Sequence, residues 1–121
     1  MRIVDANVIL RYLLDDHPVH SVRAADIIEA SSIFILTEVV CEVVFVLEKV
    51  YSVERREIMD KLVCLLQFPN ISTDNAEIIK EGLKFYSTRR IDFVDSLLCA
   101  YNKVNGDEII TFDEKIIKIT R

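Results

Sequence analysis

Five acids are set apart from the other carboxylates of this 121-residue chain by apolar surroundings. Asp5 lies in RIVDANVIL, Asp92 and Asp95 in DFVDSLLCAY, and Asp113 in IITFDEK. Glu42 interrupts VVCEVVFVL, where the other eight residues from Val39 to Leu47 are apolar. An ionised carboxylate in an apolar interior is very costly unless it is paired or bound to a metal. Glu42 therefore either reaches the surface, on a narrow polar strip with Glu38, or is held inside because a metal site is inside. The second is the expectation here. Carboxylates gathered in one place repel, so such a cluster needs positive charge. The two histidines, His17 and His20, fall in a polar connection, which disfavours a His/Cys zinc site. An all-oxygen acidic site suits Mg²⁺ or Mn²⁺. A carboxylate-held ion of that kind can activate water and stabilise a phosphorus-centred transition state.

Each acid also has a plainer reading. Asp5 could N-cap the first helix, and Asp113 could cap the last one. Asp92 and Asp95 are spaced as first-turn acids that suit a helix dipole. Singly these signals are weak. The order Asp, Glu, Asp, Asp, each at its own strand-to-helix junction, is far more specific.

The elements that must position them alternate short β-rich runs with longer helical runs. Arg2–Asp5 reads as a strand and Asn7–Leu14 as a helix, ended at Asp15-Asp16-His17-Pro18. Val19–Ala30 continues as an amphipathic helix, and Ile33–Leu36 is a second strand. Thr37 can cap Glu38–Tyr51, and Ser52 can cap Val53–Gln67. Ile71-Ser72 is a short strand, followed by a helix capped by Thr73 or Asp74 and running to about Ser87. Asp92 caps Phe93–Asn105, which stops at Gly106. Glu108–Thr111 reads as a late strand and Asp113–Ile117 as a short helix. Strands separated by helices pair in parallel through right-handed crossovers. The expected fold is α/β, a small parallel sheet with helices on both faces, as one domain over residues 1–121. In such sheets the functional crevice lies beyond the carboxyl ends of the strands, where these acids fall.

Composition narrows the class. With 51% hydrophobic and 29% charged residues, the chain reads as globular. No apolar run approaches the roughly 18–20 residues of a membrane span. The start, MRIVDANVIL, does not resemble a signal peptide. Cys41, Cys64 and Cys99 form no CxxC pair and sit in apolar segments. They are expected to be buried thiols in a reducing, cytoplasmic setting. A formal net charge of −5 argues mildly against nucleic acid, whose binders are usually basic. Arg11, Arg89, Arg90 and Lys115, near the expected mouth, could answer that objection by holding phosphates.

Four segments, DANVILRYLLDD (Asp5–Asp16), TEVVCEVVFVLEKVY (Thr37–Tyr51), DFVDSLLCAYNK (Asp92–Lys103) and GDEIITFDEKI (Gly106–Ile116), together resemble the PIN domain, and within it the VapC-like toxin ribonucleases. The resemblance implies a three-layer α/β/α sandwich. It implies that Asp5, Glu42, Asp95 and Asp113 are the acidic quartet, catalytic and metal-binding toward Mg²⁺ or Mn²⁺. Asn7 matches a polar residue beside the first acid, Asp92 an additional acid, and Thr111 a hydroxyl that supports the last acid. Ser96 stands where the family motif often has Ala. The implied activity is hydrolysis of RNA by metal-activated water, leaving 5′-phosphate and 3′-hydroxyl ends. The implied partners are RNA, a small cognate antitoxin and a second copy of the chain. The helices Asn7–Leu14 and Glu38–Leu47, apolar nearly all round, fit a covered surface.

Two other readings compete. A phosphorylatable receiver domain is also α/β with an acidic pocket. It would want adjacent acids after the first strand, whereas Asp5-Ala6-Asn7 stands there, with Asp74 forced into the acceptor role. A non-catalytic PIN-fold interaction module would keep the fold without needing all four acids.

Overall fold

The computed structural model describes all residues from Met1 to Arg121. The chain forms two compact units, Met1–Asp74 and Asn75–Arg121. The first is built on a parallel sheet. Its strands are β1 (Arg2–Ile3), β2 (Ile33–Ile35) and β3 (Ile71–Thr73), in the order β1-β2-β3. Arg2 pairs with Ile33, and Ile33 with Ile71, so all three strands point the same way. Sequence-adjacent parallel strands need helical crossovers. These are α1 (Ala6–Leu14) with α2 (His20–Ala30), then α3 (Thr37–Lys49) with α4 (Arg55–Leu66). The fold is α/β, with a small parallel sheet and seven helices.

Buried residues recur at helical spacing: Val40, Val43, Val44 and Leu47 on α3, and Ile58, Leu62, Leu65 and Leu66 on α4. Ile33 and Ile35 are fully buried on β2, the central strand. The second unit is helical: α5 (Ala76–Thr88), α6 (Phe93–Asn105) and α7 (Glu114–Thr120). Helices α5 and α6 pack closely. A Cβ at Gly82 would stand only 2.8 Å from Leu97 Cδ2. Tyr86 and Phe93 meet edge to face at 5.9 Å between ring centroids. Helix α6 stops where Gly106 takes a left-handed φ of 73°, a conformation glycine adopts without Cβ strain.

Several junctions differ from the sequence reading. Glu108–Thr111 forms no strand. Of its apolar residues only Ile109 packs, on the cluster of Ile91, Cys99 and Ile116, while Ile110 and, just beyond, Phe112 are exposed. A strand needs a ladder partner, and β-branched residues alone cannot supply one. Thr37 begins α3 rather than capping it, and Leu36 holds the cap position. The Thr37 hydroxyl instead donates to Asp74 Oδ1, which also accepts from Thr73 Oγ1. Glu54, not Ser52, precedes α4, and Ser52 adopts a φ of 54° in the turn. Asn75, not Thr73 or Asp74, caps α5 by accepting from the Ile78 amide. The thiols are not uniformly buried. Cys99 is buried and Cys41 half-buried, but Cys64 is exposed because α4 turns Leu62, Leu65 and Leu66 inward instead.

Asn70 joins two elements that the sequence reading left unconnected. Its Nδ2 donates to the Ile28 carbonyl at 2.6 Å and to the Ser31 carbonyl at 2.8 Å, closing the end of α2 against the start of β3. Asn70→Asp replaces this donor by an acceptor facing two carbonyl oxygens. It is expected to cost about 1–3 kcal/mol, the scale of stranding polar groups, and more than Asn70→Ala. Urea unfolding midpoints of the three proteins would show this order. Equal midpoints for wild type and Asn70→Asp would remove the bridge from the account.

Candidate active site

Asp5 follows β1 by two residues and sits at the N-cap of α1, where Oδ1 accepts the Val8 amide at 3.1 Å. The cap fixes the rotamer and occupies Oδ1, while Oδ2 takes no hydrogen bond. The capping and chemical readings of Asp5 are thus compatible. Asn7 is exposed on the first turn of α1. Glu42 lies on α3, which follows β2, and it is exposed. This corrects the expectation of an interior carboxylate. Val40, Val43 and Val44 turn inward, and Glu42 falls one turn after Glu38 on the exposed strip. The α3 surface also leaves Phe45 exposed. Because β1 and β2 are parallel neighbours and α1 packs on α3, Asp5 and Glu42 both belong to helices that leave the same edge of the sheet.

Arg11 is engaged elsewhere. Its guanidinium pairs with Asp16 at 2.8 Å and donates to Tyr51 Oη at 2.8 Å. Both bonds tie α1 to its surroundings rather than leave a cation open for phosphate. His17 and His20 stack at 4.2 Å, and His17 Nδ1 accepts the amides of Val19 and His20 at the start of α2. A cavity of about 580 Å³, lined by residues that include Tyr12, Glu29, Cys64 and Phe68, holds none of the expected site residues.

In the second unit the acids fall at two helix starts. Asp113 Oδ1 accepts the amides of Lys115 at 2.8 Å and Ile116 at 3.3 Å, capping α7 and again leaving Oδ2 unbonded. The Asp113 amide donates to Thr111 Oγ1 at 3.0 Å, so the Thr111 hydroxyl holds the turn that presents this acid. Asp92 occupies the cap position of α6 but makes no side-chain cap. Its carbonyl accepts the Ser96 hydroxyl at 2.9 Å. That bond explains how a fully buried Ser96 is tolerated: its hydroxyl is satisfied within its own helix. Asp95, in the first turn of α6, is half-buried. Burial pushes its carboxyl above the usual carboxylate range, and the charges of Asp92 and Asp113 push it further. Cys99, one turn on, is pushed up by burial and then by Asp95.

The cations expected near the mouth divide. Arg89, Arg90 and Lys115 come together, joined by Lys118, around a trough of about 220 Å³ floored by Ile91 and Ile119. Lys118 was not among the sequence candidates. Its spacing of three from Lys115, on one face of a helix, was the available signal.

The second unit's acids fit a divalent cation on two grounds. The charges of Asp92 and Asp113 both act on Asp95, and no cation is among the causes of its shift. All the donors are oxygens. Within either unit no three His, Cys, Asp or Glu side chains form a ready-made cage. Mg²⁺ does not require one, since it keeps several waters and takes one or two carboxylates.

The folded pKa of Asp95 lies above its unfolded value, so the stability it contributes is full below the unfolded value and lost as pH rises through the folded one. At neutral pH without divalent cation, Asp95 is a destabilising charge. Asp95→Asn is therefore expected to melt at the same or a higher temperature than wild type in EDTA at pH 7. The advantage should vanish as pH falls below the ordinary carboxylate range. Mn²⁺ should raise the melting temperature of wild type more than that of the variant. A variant that melts lower in EDTA and gains as much from Mn²⁺ would reduce Asp95 to a helix-dipole acid worth about 0.3–1 kcal/mol.

Comparison with known proteins bears on the chain as a whole. A VapC ribonuclease of Aquifex aeolicus (strain VF5) is 28% identical over 92 residues, which cover 75% of this chain and 68% of that protein. No solved structure matches the chain significantly. The family model of the PIN domain matches residues 2–121, a span that takes in the acids after β1 and β2 as well as those that open α6 and α7, and the chain belongs to the PIN domain family.

Proposed function

We propose that the chain is a metal-dependent endoribonuclease, the toxin of a toxin–antitoxin pair, and that residues 1–121 act as one functional domain. Asp95 carries the reading: a half-buried carboxylate held beside Asp92 and Asp113 without a compensating cation. Structural capping alone does not call for that arrangement, whereas binding a cation does. Membership in the PIN family and the likeness to a protein named VapC ribonuclease support the substrate class.

In this reading Asp5, Glu42, Asp95 and Asp113 hold Mg²⁺ or Mn²⁺, with Asn7, Asp92 and Thr111 in support. The ion, when bound, supplies positive charge to the phosphate and an acidified water. Oδ1 of Asp5 and of Asp113 is spent on helix amides, which fixes the direction of each free Oδ2. Thr111 holds the Asp113 turn. Asp92, which makes no capping bond, adds to the burial that raises Asp95. Water attacks phosphorus, the P–O3′ bond breaks, and 5′-phosphate and 3′-hydroxyl ends result. The ribose 2′-hydroxyl is not needed as the nucleophile.

The proposal extends to a cognate antitoxin, a homodimer and a cytoplasmic setting. The exposed Phe45 on α3 supports a covered surface there. No helix is long and apolar enough to cross a membrane. Sheet order weighs against the receiver-like alternative. A flavodoxin-like sheet has its first strand inside the order 2-1-3, whereas β1 here is at the end of β1-β2-β3.

Purified protein is expected to cleave total cellular RNA in Mn²⁺, to stop in EDTA, and to leave 5′-phosphate ends. Asp5→Asn, Glu42→Gln, Asp95→Asn and Asp113→Asn should each lower the rate by at least about 100-fold, on the scale of losing a group that acts in the transition state. Sequencing of cleavage ends and single-turnover rates provide the check. A wild-type protein inert on RNA in both Mg²⁺ and Mn²⁺, with or without a co-expressed upstream partner, would favour the interaction-module reading.

A further inference from the structure

Arg11 lies on α1, and its guanidinium meets two turns of the chain at once. Nη1 pairs with Asp16 at 2.8 Å, just beyond the end of α1. Nη2 donates to Tyr51 Oη at 2.8 Å, just beyond the end of α3. The guanidinium carbon also stands 6.0 Å from the centre of the Tyr51 ring, within the range of a cation–π contact. The Arg11 side chain is only 16% exposed.

The costs of this arrangement are local. Asp15 and Ser52 are the two residues other than glycine with a left-handed backbone, at φ 48° and 54°. Each adjoins one partner of Arg11: Asp15 precedes Asp16, and Ser52 follows Tyr51. Aspartate tolerates that region better than serine does. Arg11 Nε is buried without a hydrogen-bond partner, which leaves its desolvation uncompensated. Strained backbone and stranded donors persist where the surroundings over-determine them, and they gather at functional positions.

The helices joined in this way carry the two candidate acids of the first unit. Asp5 caps α1, Glu42 lies on α3, and the two helices pack together. At about 1.5 Å of rise per residue, Arg11 stands about 9 Å along α1 from Asp5, and the end of α3 at Lys49 about 10 Å from Glu42. The link is thus nearly equally far along each helix from its acid. Apolar packing between α1 and α3 is non-directional and fixes their alignment less sharply than a two-armed guanidinium does.

We propose that the Arg11–Tyr51 link is a register lock, with Arg11 and Tyr51 as positioning residues that set the alignment of α1 with α3 and so the spacing of the Asp5 and Glu42 carboxylates. The proposal rests on the reading of these acids as holding a divalent cation. Mg²⁺ demands near-ideal octahedral geometry, so a carboxylate that slides with its helix binds it less well. Arg11 serves the acids from a distance, committed to Asp16 and Tyr51 rather than to phosphate.

The experiment is titration calorimetry of Mn²⁺ with the full chain, comparing wild type, Tyr51→Phe, Arg11→Lys and Asn70→Ala. Tyr51→Phe keeps the ring and removes the acceptor. Arg11→Lys keeps the charge but cannot hold both partners in one planar fork. Both are expected to weaken Mn²⁺ binding about 10-fold, the low end for groups that orient metal ligands. Single-turnover cleavage at limiting Mn²⁺ should fall with them, while the KM for RNA holds at the wild-type value. Asn70→Ala serves as the control, because Asn70 bonds the end of α2 and not α1 or α3. It is expected to unfold earlier in urea and to bind Mn²⁺ as wild type does. Circular dichroism melts establish that each variant is folded, and Tyr51→Phe alone decides if Arg11→Lys melts early. Wild-type Mn²⁺ affinity in Tyr51→Phe overturns the proposal, and so does an equal loss in Asn70→Ala. If wild type binds Mn²⁺ and cuts RNA while Tyr51→Phe matches it in both, the lock falls and the ribonuclease reading stands. If the affinity loss appears but wild type never cuts, the ribonuclease reading falls and the lock stands. A wild type that binds no Mn²⁺ removes both.

Discussion

Parallel pairing is the constraint on which the first unit depends. Ladder bonds from β1 to β2 to β3 force every strand to end on the same edge and every crossover to begin there. Helix starts collect at that edge, and helix starts have unsatisfied amides and positive dipole ends. Acids are locally favoured there for structural reasons. Asp5 caps α1, and Asp74, after β3, accepts the hydroxyls of Thr37 and Thr73. A carboxyl-edge site of acidic residues is thus consistent with folding even before any ligand binds.

The same economy explains why capping and metal binding need not compete. A carboxylate has two oxygens. In both Asp5 and Asp113 only Oδ1 bonds helix amides, and Oδ2 stays available with its direction set by the cap. Asp92 and Asp95 follow another pattern. Neither makes a cap, and burial with mutual repulsion raises Asp95 instead. The capped acids are stabilised without a cation, whereas Asp95 carries strain that a cation would relieve.

Charge is segregated along the chain: residues 1–74 carry the whole acidic excess, and residues 75–121 balance eight acids with eight Lys/Arg. Net charge is a property of the whole surface, but binding depends on the local field. In the balanced second unit Lys84 and Lys103 both pair with Glu81, and Arg89, Arg90, Lys115 and Lys118 lie around one largely apolar trough.

Helix and strand periods, turn residues and the spacing of acids were legible in the chain itself. Phe93–Asn105, its Gly106 stop and the parallel crossovers follow from local pattern and topology rules. So do the positions of Asp5, Asp92, Asp95 and Asp113 at helix starts, and of Glu42 about one turn into α3. Burial and pairing were not legible, because both depend on which partner arrives from far along the chain. Glu42 lies in an apolar run yet faces outward, since the valines beside it turn toward the core. The Glu108–Thr111 run has the β-branched residues of a strand but gains no ladder partner, and only Ile109 finds a core to join. Thr37 looked like a cap until Asp74, thirty-seven residues on, took its hydroxyl. Arg11 looked available until Asp16 and Tyr51 claimed its guanidinium. Local sequence determines what a residue can bond. Only the tertiary structure decided what it does bond, because a side chain's partner is chosen by distance in space and not by distance along the chain.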